Sequence, residues 1–148
     1  MTVSLNGGDV AKKIAEAFPG SVVTSDKTTV IVDSQYLYKV AEYLKNTPGL
    51  EFDYLPNITA VDYMDYFEVV YNLNSLKHNH SLVLKTRCCE RNKPIVPSVI
   101  SLWRAVDYQE REIYDLMGIT FEGHPNMRRI VLWEGFQGHP LQKDFNGA

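Results

Sequence analysis

Two copies of a Gly-His-Pro triplet stand near the end of the chain, Gly123-His124-Pro125 and Gly138-His139-Pro140. Imidazole and carboxylate groups together suit zinc or iron, so His124 and His139 are candidate metal ligands of a hydrolase-type site. Three further side chains could complete such a site: Cys88, Glu122 and Asp144. The sequence lacks the spacings that mark metal sites strongly, such as two His four residues apart on a helix. Turn histidines hydrogen-bonded to backbone are commoner, and we favour that interpretation.

Charged side chains form a second candidate group in one predicted helix: Glu110, Arg111, Glu112 and Asp115. Neighbouring charges can shift pKa values into the range that general acid–base catalysis uses. A solvated or ion-paired helix face is the commoner arrangement, and we predict that here. Glu110 borders the apolar stripe of the helix, so a buried Glu110 would need a partner such as Arg128 or Arg129.

Several kinds of cofactor chemistry are disfavoured by the sequence. The chain has two cysteines, which are adjacent, whereas an iron–sulfur cluster normally needs four at characteristic spacing. Neither a phosphate-binding loop motif nor a dinucleotide glycine fingerprint is found in the sequence. We therefore expect no catalytic residue, no bound cofactor and no bound metal.

The charge distribution favours a protein partner. Residues 1–75 hold ten acids and five Lys/Arg, whereas residues 76–148 hold eight acids and ten Lys/Arg. This asymmetry is too mild for a nucleic-acid-binding domain, which usually has clustered Lys/Arg and a strongly basic pI. A weakly basic second half fits a protein surface better.

The length of 148 residues fits one domain, and no stretch approaches the roughly 18 apolar residues that a bilayer span requires. The first nine residues lack the basic-then-apolar pattern of a secretory signal. We therefore expect a cytoplasmic chain.

Hydrophobic spacing predicts the elements that position these residues. Residues 9–18 have helical periodicity, residues 22–32 predict a hairpin, and a second helix is predicted to start at Ser34 as N-cap. Residues 50–88 alternate as antiparallel strands, with one face formed by Phe67, Val69, Tyr71 and Leu73 and the next by Leu82, Leu84, Thr86 and Cys88. The predicted fold is α+β and two-layered, a mainly antiparallel sheet with the helices on one face.

A third helix is predicted over residues 105–117, with an apolar stripe of Val106, Gln109, Ile113, Leu116 and Met117 and a stop at Gly118. Residues 1–118 are therefore the predicted α+β domain, and residues 119–148 an extended tail. The tail is rich in Gly, Pro and His but also in large apolar residues. Such a segment cannot form a core of its own, so it must pack on the domain or on a partner.

Three separated blocks carry a resemblance to a known family. Residues 110–119 read EREIYDLMGI, residues 121–130 read FEGHPNMRRI, and residues 138–145 read GHPLQKDF. In this order they closely resemble the signature of the C-type subunits of NADH:quinone oxidoreductases, a family that includes the thirty-kilodalton-type subunit of respiratory complex I. Three positions depart from the family pattern: Gln142 replaces a usual Arg, Tyr108 a common Trp, and Trp133 a frequent Pro.

The resemblance implies a non-catalytic, cofactor-free subunit in the peripheral arm of a membrane-associated complex, on the cytoplasmic face of the membrane. Its partners would be the quinone-site, D-type subunit and neighbouring iron–sulfur subunits. The equivalent subunit of a membrane-bound energy-converting hydrogenase is the alternative. The expected interface residues are Glu110, Arg111, Glu112, Asp115, Gly123, His124, Pro125, Arg128, Arg129, Trp133, Phe136, Gly138, His139, Pro140, Lys143 and Asp144.

Overall fold

A computed structural model of the chain describes residues 2–145; the last three residues of the predicted tail and Met1 lie outside this range. Its helices are α1 (Gly7–Ala17), α2 (Leu37–Asn46) and α3 (Asp107–Met117). Short 3₁₀ turns, Ser34–Tyr36 and Arg104–Val106, lead into α2 and α3. The strands are β1 (Val3–Ser4), β2 (Val22–Ser25), β3 (Thr29–Val32), β4 (Tyr54–Asp62), β5 (Phe67–Ser75), β6 (His80–Cys88), β7 (Ile95–Pro97) and β8 (Thr120–Glu122).

Six strands form one sheet in the order β2-β3-β6-β5-β4, with β1 also paired to β6. The pairs β2–β3, β4–β5 and β5–β6 are antiparallel, whereas β1 and β3 run parallel to β6. The α+β class is confirmed, and the described sheet is mixed. Both parallel pairings join strands more than fifty residues apart in sequence, so no local turn motif predicts them.

The alternation predicted for the long central strands is confirmed. Phe67, Val69, Tyr71 and Leu73 of β5 are buried, as are Leu82, Leu84, Thr86 and Cys88 of β6. Because side chains in a strand alternate between faces, these residues line one side of the sheet. Apolar residues of all three helices join them in one core.

The start of the second helix differs from the prediction. Asp33, rather than Ser34, is the capping residue, because its carboxylate accepts a hydrogen bond from the Gln35 N–H at 2.9 Å. Ser34 lies in the 3₁₀ turn, and α2 begins at Leu37. Aspartate and serine are both good caps, so the residue types did not separate the two choices.

Helix α3 ends as predicted, at Gly118, whose φ of 79° is left-handed. Its buried side differs from the predicted stripe, because Glu110 and Asp115 are buried, whereas Gln109 and Leu116 are half-buried. Two carboxylates of the helix are thus buried: Asp115, which the spacing predicts on the charged face, and Glu110, which it predicts at the border of the apolar stripe.

The first residues after α3 still belong to the domain. Ile119 and Phe121 are buried in the core, and β8 pairs in parallel with β7. The irregular segment therefore begins at Gly123, because Ile119 and Phe121 fill the core and β8 ends at Glu122. We call residues 123–145 the tail segment. Among the described residues, none of the helices has both the length and the apolar character that crossing a membrane requires.

Candidate docking site in the C-terminal segment

Asp115 holds the tail segment against α3. Its side chain is fully buried, and Oδ2 accepts hydrogen bonds from three consecutive backbone N–H groups, of Ile130, Val131 and Leu132, at 3.1, 2.7 and 2.8 Å. Burial raises the pKa of this carboxyl. The hydrogen bonds from Leu132, Arg129 and Val131 outweigh burial and leave the pKa below its ordinary value. Asp115 was predicted on a solvated or ion-paired face; it is ion-paired, and it is buried.

Arg129 is the ionic partner of Asp115. Its Nη1 donates to Asp115 Oδ1 at 2.6 Å, and its Nη2 donates to the Gly138 carbonyl at 2.8 Å. The guanidinium also lies 5.6 Å from the centre of the Phe136 ring. One planar cation therefore joins α3 to two parts of the tail segment, which suits the fork geometry of arginine.

The second Gly-His-Pro triplet caps the end of α3. His139 Nδ1 lies 2.8 Å from the Asp115 carbonyl, Leu141 N–H donates to the Leu116 carbonyl at 2.9 Å, and Gln142 Nε2 donates to the Met117 carbonyl at 2.7 Å. The last carbonyls of a helix have no hydrogen-bond donor within the helix, so the tail segment supplies donors to them. Gln142, which replaces the Arg usual in the family pattern, thus makes its contact with the helix end through a neutral amide.

The two triplets adopt the similar bends that the sequence predicts, with Gly123 and Gly138 both at φ 89°. In the first triplet, His124 points inward: Nδ1 accepts from the Asn126 N–H at 3.0 Å, and Nε2 lies 2.9 Å from Asp107 Oδ1. That second contact lacks the direction of a good hydrogen bond. Residues 2–145 bring together no group of three or more His, Cys, Asp or Glu side chains that could hold a metal ion.

A latch fixes the end of the tail segment to the sheet. Arg91 donates to both oxygens of Asp62, at 2.7 and 2.6 Å, and its Nη2 donates to Asp144 at 3.0 Å. Lys143 N–H donates to Asp62 Oδ2 at 2.9 Å. The hydrogen bonds from Arg91 hold the pKa of Asp62 far below its ordinary value. Sequence reasoning missed Asp62 and Arg91, since nothing local links two residues so far apart; the one signal was an Asp at the start of a turn.

Glu110 is buried, but neither Arg128 nor Arg129 pairs with it, so that prediction is wrong. Ser98 Oγ donates to Oε1 at 2.6 Å, and Val99 N–H donates to Oε2 at 3.0 Å. Burial raises the pKa of Glu110 to about 7, against the lowering effect of these two bonds. Arg129 is bound to Asp115 instead, and the neutral donors of a neighbouring loop satisfy the Glu110 carboxyl.

The tail segment leaves its apolar side in solvent. Val131 is 57 %, Trp133 68 % and Leu141 58 % exposed, while Trp133 packs edge-on against Phe136 at 4.8 Å. The polar side is therefore bound to the domain, and large apolar groups face outward. Exposed aromatic and aliphatic groups beside arginines are typical of interaction surfaces.

The predicted interface residues fall into three groups by burial. Glu110, Asp115 and His124 are buried within the domain, so their side chains position other groups rather than reach a partner. The half-buried residues are Arg111, Arg129, Phe136, His139 and Pro140. The exposed ones are Glu112, Gly123, Pro125, Arg128, Trp133, Gly138, Lys143 and Asp144.

Two relatives of known name share much of this sequence. The chain is 44 % identical over 117 residues to a C-type subunit, numbered 2, of the NADH-quinone oxidoreductase of Rhizobium meliloti (strain 1021), covering 77 % of this chain and 63 % of that protein. It is 38 % identical to the C-type subunit of the NADH-quinone oxidoreductase of Roseiflexus castenholzii, covering 96 % of this chain and 85 % of the relative. The chain thus spans a little under two thirds of the first relative and most of the second.

A solved structure shares the fold. A chain of the membrane-bound sulfane sulfur reductase, an archaeal respiratory membrane complex, superposes with a TM-score of 0.74 at 24 % identity, covering 94 % of this chain and 85 % of that one. Residues 30–148 match the family model described as "Respiratory-chain NADH dehydrogenase, 30 Kd subunit". The matched range contains α3, the latch and the whole tail segment. Because the match covers most of the chain, the chain belongs to this family.

Proposed function

We propose that this chain is a non-catalytic subunit in the peripheral arm of a membrane-associated NADH:quinone oxidoreductase of the complex I type. It scaffolds the quinone-site, D-type subunit, lies near the neighbouring iron–sulfur subunits, and sits on the cytoplasmic face of the membrane. Support comes from membership of the family and from relatives that are named as subunits of NADH-quinone oxidoreductase.

The observation that carries this proposal is the two-sided tail segment. Asp115 and Asp62 of the domain bind its polar groups, whereas Trp133 and Val131 stay exposed. A segment already ordered by its own domain loses less conformational freedom when a partner binds, so more of the contact energy appears as affinity. Tryptophan is also among the residues most enriched at interface hot spots.

The test is a pull-down of the full chain and of Trp133→Ser from solubilised membranes of the source organism, with Leu76→Ser as the matched control. Leu76 is 71 % exposed and lies in the turn between β5 and β6, away from the tail segment. We expect wild type and Leu76→Ser to retain the quinone-site subunit, and Trp133→Ser to lose about tenfold or more in affinity, the scale of a hot-spot residue. Equal retention by all three proteins would contradict docking through the tail segment.

Identification of the retained proteins tests the wider assignment. NADH-oxidising subunits in the retained complex are the expected result. Hydrogenase subunits in their place would instead favour the equivalent subunit of an energy-converting hydrogenase. A chain that retains no membrane complex at all would contradict the proposal. Truncation after Gly118 is unsuitable as a test, because it also removes Ile119 and Phe121 from the core.

A further inference from the structure

A cavity of about 520 Å³ lies between α3 and the tail segment. Its lining includes three arginines, Arg111, Arg128 and Arg129, and one acid, Glu134. Two of the arginines come from the tail segment and one from α3, so the cavity exists because Asp115 ties the two together. The apolar part of its wall includes Ile130 and Leu132.

The three arginines have different environments. Arg129 is neutralised by Asp115 at 2.6 Å. Arg111 donates from Nε and Nη2 to the carbonyls of Arg128 and Arg129, both at 3.3 Å, so it is held by neutral acceptors and keeps its charge uncompensated. The exposed Arg128 side chain makes no hydrogen bond or ion pair with any residue in the range 2–145.

The cavity therefore carries an excess of positive charge, because Glu134 alone among its lining residues offsets Arg111 and Arg128. Guanidinium groups bind carboxylates in a bidentate, planar geometry, and such charge-assisted bonds are stronger than neutral ones. A carboxylate bound between the two would contact Arg111, which backbone carbonyls already hold in place. The side chain of Arg128 is free to move towards the same carboxylate.

The surroundings favour a polypeptide as the source of this carboxylate. Val131 and Trp133 are exposed apolar residues that alternate in sequence with the lining residues Ile130, Leu132 and Glu134. A polypeptide segment with an acidic residue next to apolar ones would match both features. A lipid or nucleic-acid surface usually calls for several clustered cations and a basic protein, whereas this chain has a net charge of −3.

We propose that the arginine cavity receives an acidic side chain of the partner polypeptide, with Arg128 as the contacting residue and Arg111 as the residue that positions the carboxylate. The inference rests on the proposed function, since it takes the quinone-site subunit as that partner. It adds a polar specificity site to the apolar docking surface around Trp133. Charged groups at such positions fix register and accelerate association.

The experiment measures the affinity of the full chain for the purified quinone-site subunit over a series of salt concentrations. Arg128→Glu is the test variant, and Arg104→Glu is the matched control, because Arg104 is likewise exposed but lies in the turn before α3. We expect Arg128→Glu to weaken binding about tenfold or more at low salt, and to flatten its salt dependence. Arg104→Glu should stay within about twofold of wild type.

The outcomes separate the two proposals. If the wild-type chain fails to bind the quinone-site subunit at all, the proposed function fails and this inference fails with it. If Trp133→Ser weakens binding but Arg128→Glu matches wild type at every salt concentration, the inference fails while the proposed function stands. Unfolding curves check that Arg128→Glu keeps the fold. If the wild-type chain binds phosphatidylglycerol vesicles and Arg128→Glu does not, the inference is overturned in favour of a lipid headgroup.

Discussion

Asp115 organises a part of the chain that has no regular structure of its own. Its buried carboxylate accepts hydrogen bonds from three backbone N–H groups and forms an ion pair with Arg129. An irregular segment has unpaired backbone groups that are costly to bury, and a carboxylate oxygen satisfies several of them at once. At this scale, a single side chain does what a strand partner does in a sheet.

Replacement of Asp115 by Asn tests this role. The amide keeps one acceptor oxygen but loses the charge, so we expect the free energy of unfolding to fall by about 3 kcal/mol, as for a broken buried ion pair. Because the folded-state pKa of Asp115 is lowered, its contribution is present above the unfolded pKa and is lost as the pH falls through the folded value. The difference from wild type should therefore shrink at acid pH, as measured by denaturant unfolding.

Glu112→Gln is the matched control for that measurement. Glu112 lies on the same helix, is exposed, and should change stability by less than about 0.5 kcal/mol. An Asp115→Asn variant as stable as this control at neutral pH would show that the tail segment is held by other contacts.

The contribution of Glu110 to stability should depend on pH in the opposite direction to that of Asp115. Its pKa is raised to about 7 by burial, so protonation stabilises the folded state, and this contribution is lost as the pH rises from the unfolded value towards 7. Glu110→Gln has no such titration and can still bond Ser98 and Val99. We expect the stability of the variant relative to wild type to increase by the order of 3 kcal/mol between pH 4.5 and 8. A parallel pair of stability curves over this range would contradict a buried, titrating Glu110.

At the scale of elements, the end of α3 and the tail segment form one unit. The tail segment supplies hydrogen-bond donors to the last carbonyls of the helix, and Gly118 turns the chain away in a left-handed conformation. A Cβ on Gly118 would stand 2.8 Å from both Gln142 Nε2 and the His139 ring. Gly118 is therefore required for its φ and also for the space it leaves.

Gly118→Ala should reduce stability more than the same replacement at a left-handed glycine with open space around it. The strain of a left-handed alanine costs about 1 kcal/mol, and the clash with Gln142 and His139 adds to it. We expect a loss of about 2 kcal/mol in unfolding free energy and faster proteolysis in the tail segment. Gly20→Ala is the control, since Gly20 has φ 83° but open space around its Cβ position. Equal losses in both variants would mean that the tail segment adjusts freely.

At the scale of the whole molecule, the latch joins the end of the tail segment to the sheet. Arg91 bridges Asp62 at the end of β4 and Asp144 near the end of the described chain, and it also lies 4.8 Å from the Phe67 ring centre. Contacts between such distant parts of the sequence determine the shape of the docking surface. Because these contacts lie outside the core, breaking them should let the tail segment open locally while the core stays folded.

Arg91→Gln should uncouple the tail segment from the sheet. We expect faster amide hydrogen exchange for residues 141–145, with little change for β5 and β6, because the core does not depend on the latch. Arg87→Gln is the control: Arg87 pairs with Glu68 and stacks on Tyr66, in the same sheet but outside the latch. Unchanged exchange in residues 141–145 would show that Asp115 and the α3 contacts hold the tail segment without the latch.

The sequence alone determined the three helices, the long central strands and the family. The alternation of Phe67 to Leu73, the glycine stop at Gly118 and the two Gly-His-Pro bends are local patterns, and the backbone has few conformations that satisfy them. Three ordered blocks at the end of the chain were specific enough for recognition. These signals survive in a sequence because each depends on neighbours a few residues away.

The tertiary structure alone decided which charges are buried and what they bind. Helical spacing placed Asp115 on a charged face, and it could not foresee that the chain would fold back over that face. The parallel pairing of β3 with β6, the choice of Ser98 as partner of Glu110, and the latch between Asp62 and Arg91 likewise join distant residues. Such contacts depend on the paths of several loops at once, and no local pattern encodes those paths.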